Sequence, residues 1–171
     1  MIVRLLILLF FFTVAGCGTS PISPTTTVEN GIVENPRFSF SVPPKHWEVR
    51  SFSDPILVTL HLGGGGWRNS YIFVEKTETS PDDIETYAKK YAKKIEGVVS
   101  DETRKIDGVT AIVITSDKYD VGIPPLSFVV PHENTVYLIR GYPRNGIYVE
   151  DDMYLIVDSW KWIASDNANA G

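Results

Sequence analysis

The sequence predicts an α+β domain in which a mainly antiparallel β-sheet is flanked by helices packed on it. Three observations predict it. Short segments alternate apolar and polar residues with a period of two, clusters of Gly, Pro, Asn and Asp separate them at hairpin distances, and two longer segments switch to helical spacing.

Phe38, Phe40 and Val42 alternate with Ser39 and Ser41, the pattern of a half-buried strand, and Pro43-Pro44 ends it. Trp47 and Val49 open a second short strand. In a third, Ile56, Val58, Leu60 and Leu62 share one face while Leu57, Thr59 and His61 share the other. Gly63 to Gly66 then lead into Ser70 to Thr77, a strand-like return that makes a hairpin with a glycine tip. Ser80, Pro81 and Asp83 resemble a capping box with proline at the first helical position. Ile84, Tyr87, Ala88, Tyr91, Ala92 and Ile95 follow at helical spacing, and Gly97 stops the run. Asp107-Gly108 is a strong hairpin turn, with β-branched residues from Thr110 to Ser116 beyond it. Leu126 to Pro131 and Thr135 to Gly141 flank His132-Glu133-Asn134 as another hairpin. From Glu150 to Ile163 the spacing is again amphipathic, with Met153, Ile156, Val157 and Trp160 on one face. Glu150, Asp151 and Asp152 suit the positive end of a helix dipole there.

Ahead of this domain, Arg4 precedes an apolar run, Leu5 to Phe12, and small residues then lead to the only cysteine, Cys17. That order of parts is a secretory signal. The run is too short for a spanning helix, which needs about 20 apolar residues. Val14-Ala15-Gly16-Cys17 resembles the lipobox of prokaryotic lipoproteins. The resemblance implies that residues 1–16 are removed and that the Cys17 thiol carries a diacylglycerol, with a further chain such as palmitate on the new amino terminus. Each buried methylene contributes about 0.8 kcal/mol, so two or three chains hold a membrane firmly where one does not. Lipidation also consumes a thiol that has no partner in the chain. Gly18 rather than Asp after Cys17 favours outer-membrane sorting in a Gram-negative cell, so the expected address is the cell membrane or the outer membrane, facing outside the cytoplasm. Ser, Thr and Pro crowd residues 17–36, which read as a lipidated flexible tether. Residues 37–164 then form one globular domain, and residues 165–171 a disordered tail.

Loss of Arg4 with the signal leaves 15 basic against 21 acidic side chains, a net charge of −6. Lys89, Lys90, Lys93 and Lys94 are the nearest approach to a basic stripe, and they fit a solvated helix face. Nucleic-acid binding is disfavoured by this balance and by the export signal.

The domain resembles the PsbP-like family, including its DcrB-like envelope lipoproteins. The resemblance is carried by Phe38-x-Phe40-x-Val42-Pro43-x-x-x-Trp47, the helix from Ser80 to Glu96, the Asp107-Gly108 hairpin with Ala111 beyond it, the aromatic strand Tyr137 to Tyr142, and Ser159-Trp160 in the closing helix. It implies an antiparallel sheet sandwiched by helices, and a role in binding or assembling other proteins. Shared folds do not fix function, and no residue carries a photosystem role over.

Residues with chemistry are few. Gly63 to Gly66 run into a strand rather than a helix, unlike a phosphate cradle. Trp67 and Arg68 at that tip are residue types enriched at binding hot spots, and Tyr142 and Arg144 lie in a second turn region, so these four are the candidate partner contacts. His46, His61 and His132 lack zinc-ligand spacing, although His132 could meet Asp117 or Asp120 in space. The acidic run 150–152 lacks calcium-loop spacing. No nucleophile elbow or His-Glu-x-x-His motif occurs. The expectation is a membrane-anchored, non-catalytic protein-binding or assembly-accessory module without a cofactor or metal. Its rivals are a small-ligand or metal-binding envelope lipoprotein and an envelope hydrolase.

Overall fold

The computed structural model describes residues 26–45, 47–51, 54–62, 69–118, 123–144 and 147–164. Seven antiparallel strands make the main sheet: β4 (Trp47–Ser51), β5 (Ile56–Leu62), β6 (Ser70–Lys76), β7 (Val98–Ile106), β8 (Val109–Thr115), β9 (Leu126–His132) and β10 (Thr135–Tyr142). Their spatial order is β4-β5-β6-β10-β9-β8-β7, so β6 and β10 pair at the centre and β4 and β7 are the edges. A smaller sheet has the order β1-β2-β3-β11, from Thr27–Glu29, Ile32–Asn35, Phe38–Ser41 and Lys161–Trp162. Among the described residues two α-helices, α1 (Ile84–Lys94) and α2 (Glu150–Ser159), accompany the sheets, and the fold is α+β with mainly antiparallel strands.

The period-two alternation expected of the strands sorts side chains into two cores. On one face Val58, Leu60, Ile72, Val74, Phe128 and Ile139 are buried with Met153, Ile156 and Val157 of α2. The small sheet closes this side: Phe38 stacks on Trp160 at 4.5 Å and Phe40 on Trp160 at 5.3 Å. All three rings are almost completely buried, and truncating one to alanine would cost about 3–5 kcal/mol. On the opposite face Ala88, Tyr91, Ala92 and Ile95 of α1 pack on Ile114, Val129, Val136 and Leu138. α1 lies over β7, β8 and β9.

One turn was legible in advance. Asp107 and Gly108 both take positive φ (47° and 84°), as a two-residue hairpin with the sheet's twist requires. The Asp107 carboxylate then accepts from the Trp162 backbone N–H at 2.8 Å and from Lys161 Nζ at 3.0 Å, which clips β11 to the β7–β8 turn.

Three expectations are corrected. Residues 26–36, assigned to the tether, are ordered: β1 and β2 lie in the small sheet, and Val33 and Asn35 are buried. The β2 backbone pairs with β3 and the β1 backbone with β2, long-range partners that composition does not reveal. The first helix starts as a 3-10 turn over Pro81–Asp83, with the Ser80 hydroxyl accepting from the Asp82 N–H, and Asp83 makes no side-chain cap bond. The closing helix stops at Ser159, because Trp160 turns extended to enter the core and Lys161–Trp162 pair with Ser39 and Phe38.

Gly97 ends the first helical run for a different reason from the usual left-handed cap. Glu96 takes the positive φ (52°), whereas a Cβ on Gly97 would lie 2.7 Å from the Thr115 carbonyl oxygen. Close approach of the α1–β7 corner to β8 therefore demands glycine. Gly97→Ala is expected to lower stability by about 1–3 kcal/mol through forced backbone displacement, read as a lower urea midpoint with an unchanged m-value.

Candidate functional site

α1 is one helix on a seven-stranded sheet, and the same face over β4, β5, β6 and β10 is populated by other chemistry. Register places it in rows. Arg50, Thr59, Phe73, Arg140 and Ser127 are successive cross-strand partners, and Glu48, His61, Tyr71 and Tyr142 form the next row. Directly paired residues share a face. These rows alternate with the buried Leu60, Ile72, Ile139 and Phe128 beneath, so a strand such as Val136–Tyr142 reads as apolar throughout except for Arg140.

Arg140 is the centre. Its guanidinium lies over the Phe73 ring at 5.5 Å and over Tyr142 at 5.4 Å, geometries suited to cation–π attraction. It forms an ion pair with Glu75, and both side chains are largely buried, 24% and 13% exposed. Phe73 meets Tyr142 edge-on at 5.6 Å, Tyr71 stacks on Phe73 at 5.8 Å, and His61 meets Tyr71 edge-on at 4.8 Å. Tyr91 of α1 borders the patch, its hydroxyl 3.5 Å from Ser127 Oγ. At the outer strand Arg50 binds Glu48 through Nε at 2.9 Å and Nη2 at 3.1 Å. The patch thus holds a largely buried arginine and an exposed one, each neutralised by a carboxylate, with five rings around them.

Electrostatics follow from this packing. Burial acts against the Arg140 charge, yet the Tyr142, Glu75 and Tyr91 oxygens hold its pKa above the usual guanidinium value. Burial pushes the Tyr142 phenol up to about 12, with Arg140 opposing, and raises Tyr91 as well. The His61 imidazole is driven down by burial and by Arg50, against the pull of Glu48. Thr59 Oγ1, His61 Nε2 and Arg140 Nε are buried without a hydrogen-bond partner. The patch is therefore aromatic, with its two arginines each paired to a carboxylate, and it holds three buried polar atoms without partners.

Of the four candidate contacts, Tyr142 belongs to this patch. It is the last residue of β10 with its ring against Phe73, rather than part of an exposed loop. Arg144 sits just beyond, half-buried, its N–H donating to Ser70 Oγ at 3.0 Å and its strand bridged to Ile147. Trp67 and Arg68, with Cys17, His46 and Asp120, lie outside the described residues. His132 and Asp117 do not converge: Asp117 follows β8 beside the start of β9, while His132 ends β9 a strand-length away. His132 stacks instead on Trp162 at 3.8 Å. Asp152 of the acidic run is buried and pairs with Lys45 at 2.8 Å, a structural contact. Among the described residues no group of three His, Cys, Asp or Glu side chains is arranged to hold a metal ion, and no helix is long and apolar enough to cross a membrane. Sequence reading missed Arg140, Glu75, Phe73 and Tyr71; the available signal was Arg140 alone inside an apolar strand.

Two outcomes follow. The Tyr142 folded-state pKa lies above the unfolded value near 10, so unfolding releases a proton and stability falls between about pH 10 and 12. Phenolate absorbance is expected to show a late component that Tyr142→Phe diminishes, the other buried phenols Tyr87, Tyr91 and Tyr137 also titrating late. His61 and His132 are both depressed by burial, so the unfolded state binds more protons below its pKa of about 6.5 and stability drops on acidification. The urea midpoint is expected to fall between about pH 7.5 and 5.5, and to fall less in His61→Leu/His132→Leu. Comparison with protein-family models and with curated proteins gave no match.

Proposed function

We propose that this chain is a lipid-anchored envelope lipoprotein with a PsbP-like, DcrB-like domain, and that it acts as a non-catalytic binding or assembly-accessory module. One observation carries the binding part: α1 covers only part of one sheet face and leaves the Arg140 patch with its aromatic rings partly exposed and its charges already paired. The Arg140–Glu75 pair is already largely desolvated in the folded domain, so covering it adds little further desolvation cost, and aromatic and arginine side chains dominate binding hot spots. The anchor rests on Val14-Ala15-Gly16-Cys17, and tethering a binding surface to a membrane raises its effective concentration toward partners there.

Two experiments test the parts separately. Labelled palmitate is expected on the wild-type chain and absent from Cys17→Ser, with the variant released from the membrane fraction; a label that persists removes the anchor. In intact envelopes, a photo-crosslinking side chain at Tyr71 is expected to capture a discrete protein adduct, and the same probe at Lys90, on the solvent face of α1, none. Equal capture at both positions, or none at Tyr71, removes the binding surface.

A further inference from the structure

We propose that the β1–β2 hairpin is a membrane-contact element, seated on the zwitterionic lipid surface that carries the anchor. The inference rests on the lipid anchor proposed above, and chain length supplies the occupant. Nine peptide steps separate Cys17 from Thr26, and nine residues span at most about 30 Å. The hairpin is thus the first folded element behind the anchor. Its strand β1 is an edge of the small sheet, paired on one side only, to β2.

The side chains at this end fit a shallow contact with lipid. Val28 is 50% exposed and Ile32 41%, and they lie on opposite faces of the hairpin, because Val28 pairs with Val33 and Ile32 with Glu29. Directly paired residues share a face. Val33 opposite Phe40 faces the core, so Ile32 belongs to the outer face of the small sheet. There Ile32 stands opposite Ser41, whose N–H donates to Ser159 Oγ at 3.0 Å at the end of α2. The same hydroxyl donates to the Leu155 carbonyl at 2.8 Å, one turn earlier, and Leu155 is 48% exposed. Ile32 and Leu155 therefore flank one short polar contact, with Val28 at the sheet edge beyond. Three aliphatic side chains are too few to hold a membrane unaided. Once the anchor raises the local concentration of lipid, they decide which end of the head meets it. Both charged residues of the hairpin, Glu29 and Glu34, are acidic and exposed. They repel anionic headgroups, which leaves a zwitterionic surface as the fitting one.

The test uses the mature chain from Cys17 onward, coupled through that residue, its only cysteine, to a maleimide lipid in vesicles of phosphatidylcholine and phosphatidylethanolamine. The maleimide supplies the anchor, so the outcome does not depend on lipidation in the cell, which palmitate labelling reads separately. A photo-crosslinking side chain at Val28 or Ile32 is expected to attach labelled phospholipid at about fivefold or more the yield of the same probe at Lys90. Replacing about a third of the lipid with phosphatidylglycerol should lower the yield about twofold, and Glu29→Lys with Glu34→Lys should abolish that loss. Equal labelling at positions 28, 32 and 90 overturns the contact. So do adducts that join two copies instead of lipid, or a yield indifferent to phosphatidylglycerol.

Discussion

One geometric constraint organises this molecule: a single helix cannot cover a seven-stranded sheet. Seven strands at about 4.8 Å spacing span roughly 29 Å, whereas a helix with its side chains is about 10–12 Å wide. On one face α2 and the four-stranded sheet share the width, and the Phe38–Trp160–Phe40 stack welds them together. On the other face α1 sits over β7 to β9 and reaches Val136 and Leu138 of β10, and β4, β5, β6 and the far end of β10 must manage their own surface. They do so with rings and paired charges. Arg140 with Glu75 and Arg50 with Glu48 neutralise each other, while Phe73, Tyr71, Tyr142 and His61 supply packing without an apolar core above them.

The same constraint gives the patch its character. Arg140 is held by two ring faces and one carboxylate, so its position is set before any partner arrives, and binding through preorganised groups loses less entropy. Both Tyr142 and Tyr91 phenols are protonated at neutral pH, and burial carries their titration further from it. Thr59, His61 and Arg140 each leave one buried polar atom without a partner, beneath the surface rather than on it. The α1 lysines, by contrast, are fully solvated, and Lys89 merely faces Glu85 one turn away at 3.9 Å.

Local chemistry made much of the fold readable. Asp107-Gly108 specified a tight hairpin because both positions need positive φ, and the alternation in Phe38–Val42, Ser70–Thr77 and Thr135–Gly141 marked buried faces. What escaped was whatever depends on a distant partner. Thr27 to Asn35 is polar enough to read as tether, and becomes strand because β2 pairs with β3 and β1 pairs in turn with β2. Trp160 fits a helical face by spacing, yet the aromatic pair Phe38 and Phe40 draws it into an extended backbone. Arg140 looked incidental, since its role exists only when β5, β6 and β10 are set side by side. Cys17 remains the residue with the clearest chemical fate in the sequence, and the folded head begins nearer to it than composition suggested.

The central claim is that the uncovered half of the sheet is stabilised by charges compensated within it. A double-mutant cycle on Arg140→Met and Glu75→Met measures this directly through urea unfolding. The account predicts that each single change destabilises the domain, because it strands a largely buried charge, and that the double change costs less than their sum by about 1–3 kcal/mol. Additive losses would mean that the two side chains do not depend on each other, and would contradict it.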